Sequence, residues 1–398
     1  MKRNVFSFPS KCNYDKRRII HSIKVGIALV LVSLLYLLDP LFEQVGENTM
    51  WAIMTVVVVF EFFAGATLSK GINRGIGTVT GGGLGCLAAI LADKIGGRIG
   101  NAIVVASSVF IFGAAATYAR LVPRIKRRYD YGAMIFILTF NLVVVGGVRA
   151  EKVMELAGKR LSTIGMGFAV CLFISLLVFP IWASDDLHYS IASKFDKLAS
   201  SIEGCLEEYF NMASEKENKT DANLEACKSV LHSKSNDESL ANFAKWEPWH
   251  GKFGLSYPWE MYLDIGEILR ELAATTIALK GCLQSPKQLS PMQRQQMKEP
   301  CEIFGLSLVW IMRELGESIE EMNKCRAKNL MIPMLQSLNL QLNLMRPSSK
   351  IQVENDNNLA ISSFIFLLMD IVEKVEVLAK KVEELGELAN FETKKLDV

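Results

Sequence analysis

No two cysteines in this chain stand at the close spacing of a zinc ribbon or a thiol–disulfide motif. The eight are scattered (Cys12, Cys86, Cys171, Cys205, Cys227, Cys282, Cys301, Cys325), and Cys86 and Cys171 fall inside apolar stretches. They read as reduced, mostly core residues, and no disulfide framework is expected. The four histidines, His21, His188, His232 and His250, lack ligand spacing, so neither a zinc site nor any other cofactor is expected. A secretory signal is missing as well: the first twenty residues are polar and basic, and no small-residue cleavage site follows the first apolar stretch. Neither a GxSxG elbow nor an HExxH helix occurs. The glycines between Gly71 and Gly85 look superficially like a phosphate loop, but no Lys-Ser/Thr follows in register and no soluble strand precedes them. Nothing here supports an enzyme. Net charge is only +2, so bulk charge points to no nucleic-acid partner. Trp246 and Trp249 flank Pro248 without a basic groove pattern around them, which favours packing or domain contact over base stacking.

What is present is apolar surface, unevenly placed. The chain is 50% hydrophobic and 22% charged, with a mean hydropathy of +0.24. That mean describes a mixture of two unlike halves. Six apolar stretches crowd the first half: Ser22–Leu38, Met50–Ser69, Ile76–Ala92, Ile99–Ala119, Tyr131–Val148 and Leu161–Trp182. Each approaches the ~20 residues that cross ~30 Å of hydrocarbon. The third holds Gly81-Gly82-Gly83 and Gly85, weak in an isolated helix but suited to close helix approach in a membrane. The expected fold is an all-α membrane protein: a segment 1–21, a transmembrane domain 22–182 of about six helices, and a helical domain 183–398.

Lysine and arginine set the orientation. Lys2, Arg3, Lys11, Lys16, Arg17 and Arg18 precede the first stretch, and Arg120, Arg124, Lys126, Arg127 and Arg128 follow the fourth. An even number of spans separates the clusters, so both face the cytosol under the positive-inside bias. The second cluster reads as interfacial anchoring on anionic headgroups. Lys70 and Arg74 fall on the same side, between the second and third spans, and the helical second half follows them into the cytosol.

That half reads as helices at Asp186–Ala213, Trp259–Leu283, Met292–Leu344 (one or two) and Leu359–Leu388. Pro258 stands as the first-turn residue of the second, Glu215–Asn223 as a charged linker, and Arg346–Asn358 as a polar break. Ile361, Phe364, Ile365, Leu368, Ile371, Val372, Val375 and Leu378 form one face of the last helix. It is read as a buried bundle helix, since its apolar core is too short to span a bilayer.

Four segments carry a family resemblance: Met50–Gly77 (MWAIMTVVVVFEFFAGATLSKGINRGIG), Tyr129–Asn141 (YDYGAMIFILTFN), Arg160–His188 (RLSTIGMGFAVCLFISLLVFPIWASDDLH), and Trp246-Glu247-Pro248 with the Pro258-Trp259 helix. Together they resemble the plant aluminium-activated malate transporter family. The resemblance implies a homodimeric anion channel, with malate and other anions as cargo, a lipid bilayer around six helices, and a helical cytosolic domain. The short N-terminal segment and the end soon after the last helix depart from vacuolar-membrane and long-tailed relatives, which tilts the expected location toward the plasma membrane.

The candidate site residues follow from the cargo. A dianion in hydrocarbon costs several kcal/mol or more unless fixed positive charge replaces its water. Arginine suits a carboxylate because its planar fork donates two parallel hydrogen bonds. Lys70 and Arg74, four apart, share a helical face and read as an inner ring of pore charge or as ordinary anchoring; the resemblance favours the pore. Arg149, Lys159 and Arg160 lie where the bias disfavours positive charge. They read as pore lining, as snorkelling side chains, or as partners of Glu151 and Glu155. Glu61, the lone carboxylate deep in a span, would repel an anion, so it is expected in a structural ion pair with Lys24 or Arg74. Glu43, Glu47, Glu151 and Glu155 bunch in outer loops and offer the oxygens of a candidate aluminium site, or are solvated loop charge. No chain of buried His, Asp or Glu suggests proton coupling. Alternatives to a channel are a coupled organic-acid transporter and a non-conducting membrane scaffold.

Overall fold

A computed structural model describes residues 10–37, 49–95, 97–147, 153–210, 217–254, 256–284, 291–325, 327–344 and 356–392. The protein is all-α, with no β-strand element among the described residues. The chain divides into two compact units, Met1–Trp182 with Trp246–Pro248, and Ala183–Lys245 with Trp249–Val398.

The first unit holds α1 (Ser10–Leu37), α2 (Thr49–Val59), α3 (Ala64–Ile95), α4 (Arg98–Leu121), α5 (Pro123–Gly147) and α6 (Val153–Leu177). Four stretches, Ala64–Ile95, Ile99–Leu121, Arg128–Gly146 and Gly158–Leu177, are long and apolar enough to cross a membrane, and Met50–Val59 is a shorter apolar helix. The expected second span, Met50–Ser69, is therefore not one helix: the chain breaks at Phe60–Phe63 and restarts as α3. Side-chain and backbone partners bridge the break. Thr67 Oγ1 accepts from the Glu61 N–H at 3.0 Å and lies 3.2 Å from the Phe63 carbonyl oxygen. The Ala64 N–H donates to Ile181 O at 3.0 Å. Unwound backbone at membrane depth persists only where such partners exist. Lys70 and Arg74, expected between spans, thus sit inside α3, whose 32 residues rise about 48 Å and exceed the hydrocarbon thickness.

Two clusters hold this unit together. Ala28 and Val32 of α1 meet Ala52, Val56 and Phe60, and Cys171 and Ile174 of α6. Ala88 of α3 meets Phe140 and Val144 of α5, with Val105, Val109 and Phe112 of α4 against them. α3 and α5 approach backbone to backbone. A Cβ on Gly77 would stand 2.4 Å from Gly132 O, and one on Gly81 2.7 Å from Phe136 O. Glycines at a four-residue step leave the α3 side of that contact without side chains.

The second unit is a helical bundle: α7 (Ala183–Phe210), α8 (Glu217–Leu231), α9 (Lys234–Ala244), α10 (Trp259–Leu283), α11 (Pro291–Glu321), a π-helical turn Ala327–Met331, α12 (Ile332–Leu344) and α13 (Asp356–Leu388). α7 runs along α11, and α10 along α13. All eight apolar residues expected on one face of α13, Ile361 to Leu378, are buried. Pro258 precedes α10 with φ −78° instead of opening it. The charged stretch 215–223 is not a linker throughout, because α8 starts at Glu217. Gly204 on α7 leaves room for Asn223, whose carbonyl accepts from the Ser201 hydroxyl at 3.0 Å. Met322, at φ 55°, turns the chain out of α11 before the π turn.

Two polar networks lie inside this bundle. Asp237, fully buried, accepts from Lys194 Nζ at 2.5 Å, Arg270 Nη1 at 3.2 Å and Ser233 Oγ at 2.9 Å through the same oxygen. His188, 3% exposed, sits 2.8 Å through Nδ1 from the Tyr262 hydroxyl and 3.2 Å through Nε2 from Glu320 O. A carbonyl only accepts, so Nε2 carries the proton and Nδ1 accepts from Tyr262. Tyr262 in turn lies 3.1 Å from the Tyr257 hydroxyl. Burial, and secondarily the charge of Lys252, pushes the His188 pKa below 6.5, although the Glu320 carbonyl pulls the other way. The unfolded chain then binds its proton first as pH falls below 6.5, so stability is full above that pH and declines beneath it. Thermal melts of the full chain from pH 7 to pH 5 should show that decline, shallower in His188→Gln. Equal slopes in both would show that His188 does not titrate.

Candidate functional site

Arg74 and Arg160, 86 positions apart in the sequence, line one cavity of about 360 Å³ bounded by α3, α5 and α6, with Trp51 of α2 in its wall. Its size falls in the range of small-molecule sites. The walls are mostly apolar. On α3 the lining runs Arg74, Thr78, Gly82, Cys86 and Ile90 at four-residue steps. This stripe adjoins the Gly77–Gly81 stripe that packs on α5, so the same close packing that fixes α3 also fixes which side chains face the cavity. The ring of Phe168 on α6 lies against Gly71.

Each guanidinium has one contact that holds it and at least one buried nitrogen without a partner. Arg74, 5% exposed, donates from Nη1 to the Tyr131 hydroxyl at 3.0 Å, while its Nε has no partner. Arg160 lies with Cζ 4.9 Å from the Trp51 ring centroid, and its Nε and Nη1 are buried without partners. Thr78 Oγ1 is buried and unpartnered as well. A buried donor left unmade costs about 1–3 kcal/mol, and more on a charged group. Arginine cannot escape by losing its proton. The cavity therefore favours a guest, anion or water, that accepts these hydrogen bonds.

The other expected site residues distribute differently. Lys70 does not line the cavity: its ammonium forms an ion pair with the Glu61 carboxylate, and it lies 5.9 Å from the Tyr131 ring centroid. Glu61 is thus paired, but with neither expected partner. Arg74 bonds Tyr131, and Lys24, 2% exposed, donates to Ser175 O at 3.3 Å and Phe179 O at 3.4 Å. Carbonyls at the C-terminal end of α6 carry the negative end of its dipole, which suits a buried ammonium. With Lys70 neutralised by Glu61, the cavity's own positive charge comes from Arg74 and Arg160. Lys159 is exposed on α6, outside the lining. Arg149, Glu43, Glu47 and Glu151 lie outside the described residues, and so does the side chain of Glu155. Trp51, Thr78 and Tyr131 were not singled out from sequence. The four-residue step from Arg74 to Thr78 was the available signal for one of them.

The model of the family described as "Aluminium activated malate transporter" matches residues 12–343. The chain belongs to the aluminium-activated malate transporter family. That is a transporter family, not an enzyme family. The matched stretch runs from α1 into α12 and includes both cavity arginines. Among curated proteins, the chain is 46% identical over 312 residues to aluminum-activated malate transporter 12 of Arabidopsis thaliana, covering 78% of this chain and 56% of that relative. It is 42% identical over 386 residues to Arabidopsis transporter 2, covering 96% of this chain and 77% of the relative. To transporter 1 of Triticum aestivum it is 36% identical over 394 residues, covering 95% of this chain and 83% of the relative. The chain thus spans less than two thirds of the length of the first of these aluminium-activated malate transporters.

Proposed function

We propose that this protein is an anion channel that lets malate, and other small anions, cross a membrane through the cavity between α3, α5 and α6. The single observation behind this reading is the pair of guanidiniums, Arg74 and Arg160, which line one apolar-walled cavity and carry buried N–H groups without partners. The relatives' shared name supports malate as cargo. Passive conduction is energetically sufficient: a dianion leaving a cell interior 100 mV negative gains roughly 4.6 kcal/mol. The second unit belongs on the cytosolic side, two copies form the working assembly, and aluminium acts as an effector through outer-loop carboxylates such as Glu43, Glu151 and Glu155.

The test is the reversal potential of the purified full chain in liposomes under malate and pH gradients. A channel current reverses at the malate equilibrium potential whatever the pH difference. A reversal that moves with the pH gradient would mean a coupled transporter, and no anion flux at all would mean a scaffold.

A further inference from the structure

Hydroxyls inside membrane helices usually satisfy themselves by donating to the carbonyl one turn back. The first unit follows this habit closely. Thr55 donates to Trp51 O at 2.7 Å, Thr80 to Ile76 O at 2.7 Å, Ser107 to Ile103 O at 2.7 Å and Thr163 to Lys159 O at 3.1 Å. Thr78 does not. It is 5% exposed, lines the cavity, and its Oγ1 is the one buried hydroxyl without a partner among the described residues. One turn away on the same stripe stands Arg74, also 5% exposed, with an unpartnered Nε. Two neighbouring donors, one charged and one neutral, are thus left unmade in the same wall.

We infer that Thr78 is a specificity-determining residue of this passage, pairing with Arg74 to select carboxylate-bearing anions over monatomic ones. The inference rests on the cavity being the anion's route. A carboxylate has two oxygens and can accept from Arg74 Nε–H with one and from the Thr78 hydroxyl with the other. Arg160, in the same cavity, remains for a second carboxylate. A halide is a single centre: it gains from the guanidinium charge but cannot answer both donors in the same directional way. The discrimination therefore depends on the hydroxyl, whereas the basic preference for anions depends on the arginines. A site built to hydrogen-bond an oxygen loses affinity when one partner is missing because the other is left buried and unmade.

The experiment compares malate and chloride conductance of the full chain in liposomes for wild type, Thr78→Val and Thr78→Ser. Valine keeps the shape and removes the hydroxyl, and serine keeps the hydroxyl. The expected result is a malate-to-chloride ratio about tenfold lower in Thr78→Val, with chloride current and protein yield unchanged and Thr78→Ser close to wild type. An unchanged ratio in Thr78→Val, or an equal loss in Thr78→Ser, overturns the inference. Should the valine variant not reach the membrane, Thr78→Ala beside Thr78→Ser makes the same comparison. Arg74→Gln run in parallel separates the two claims. If it abolishes both currents while Thr78→Val changes nothing, only the role of Thr78 falls. If it leaves both currents intact, the cavity is not the route.

Discussion

Malate flux through the Arg74→Gln protein is expected to fall by roughly tenfold to a hundredfold, and through the Arg74→Gln/Arg160→Gln double variant to background. The magnitude comes from the chemistry of the wall. A hydrogen bond to a charged group contributes about 1.5–3 kcal/mol, and each 1.4 kcal/mol is a factor of ten. In an apolar-walled space these contacts are the anion's substitute for water, so their loss appears in the barrier. Arg74→Lys keeps the charge but not the fork, and it should retain an intermediate flux. Lys159→Gln should change flux less than any of these, since Lys159 lies outside the lining. Flux of labelled malate into liposomes, normalised to reconstituted protein, reads all four. Equal flux in wild type and the double variant would remove the arginines from the pathway.

The second large effect lies in the helical bundle of the second unit. Asp237→Ala should lower the unfolding free energy of the second unit by about 3–5 kcal/mol, the usual cost of breaking a buried ion pair from one side. Asp237 is fully buried and takes three donors on one oxygen. Without it, Lys194 and Arg270 are two cations in a core. Burial already presses the Lys194 pKa down, and Asp237 is what opposes that. Lys194 can therefore shed its proton in the variant. Arg270 cannot, so most of the penalty falls there. Arg270→Met added to Asp237→Ala should recover much of the loss, because a well-packed apolar replacement of a buried ionic cluster is often neutral. Denaturation of the full chain followed by the fluorescence of buried Trp259 reports it. A midpoint shift worth less than about 1 kcal/mol would mean that the cluster relaxes to admit water.

These two effects mark how far the sequence could be read. In the bundle, water on one side gives each helix a periodic apolar stripe. The positions from Ile361 to Leu378 were therefore legible one by one, and Trp259–Leu283 was legible to the residue. In the membrane unit both sides of a helix are apolar, and that signal disappears. The break at Phe60–Phe63 was invisible because Phe60, Phe62 and Phe63 keep hydropathy high across it. Glu61 could be recognised as needing a cation. That the cation is Lys70 depends on the unwound turn, which brings together residues nine apart. Arg74 and Arg160 stood out as basic residues at the ends of apolar runs, but their convergence on one cavity comes from the glycine contacts of Gly77 and Gly81 on α5 and of Gly71 on α6. Thr78 could not be singled out, because a threonine in a membrane helix ordinarily satisfies its own backbone and only the structure shows that this one does not.

The most direct measurement is an experimental density map of the protein in a bilayer mimetic with malate at saturating concentration. The account predicts density for the anion between α3 and α6, within hydrogen-bond reach of Arg74 Nε and the Arg160 guanidinium. A cavity filled by a lipid acyl chain, with malate bound elsewhere or nowhere, would contradict it.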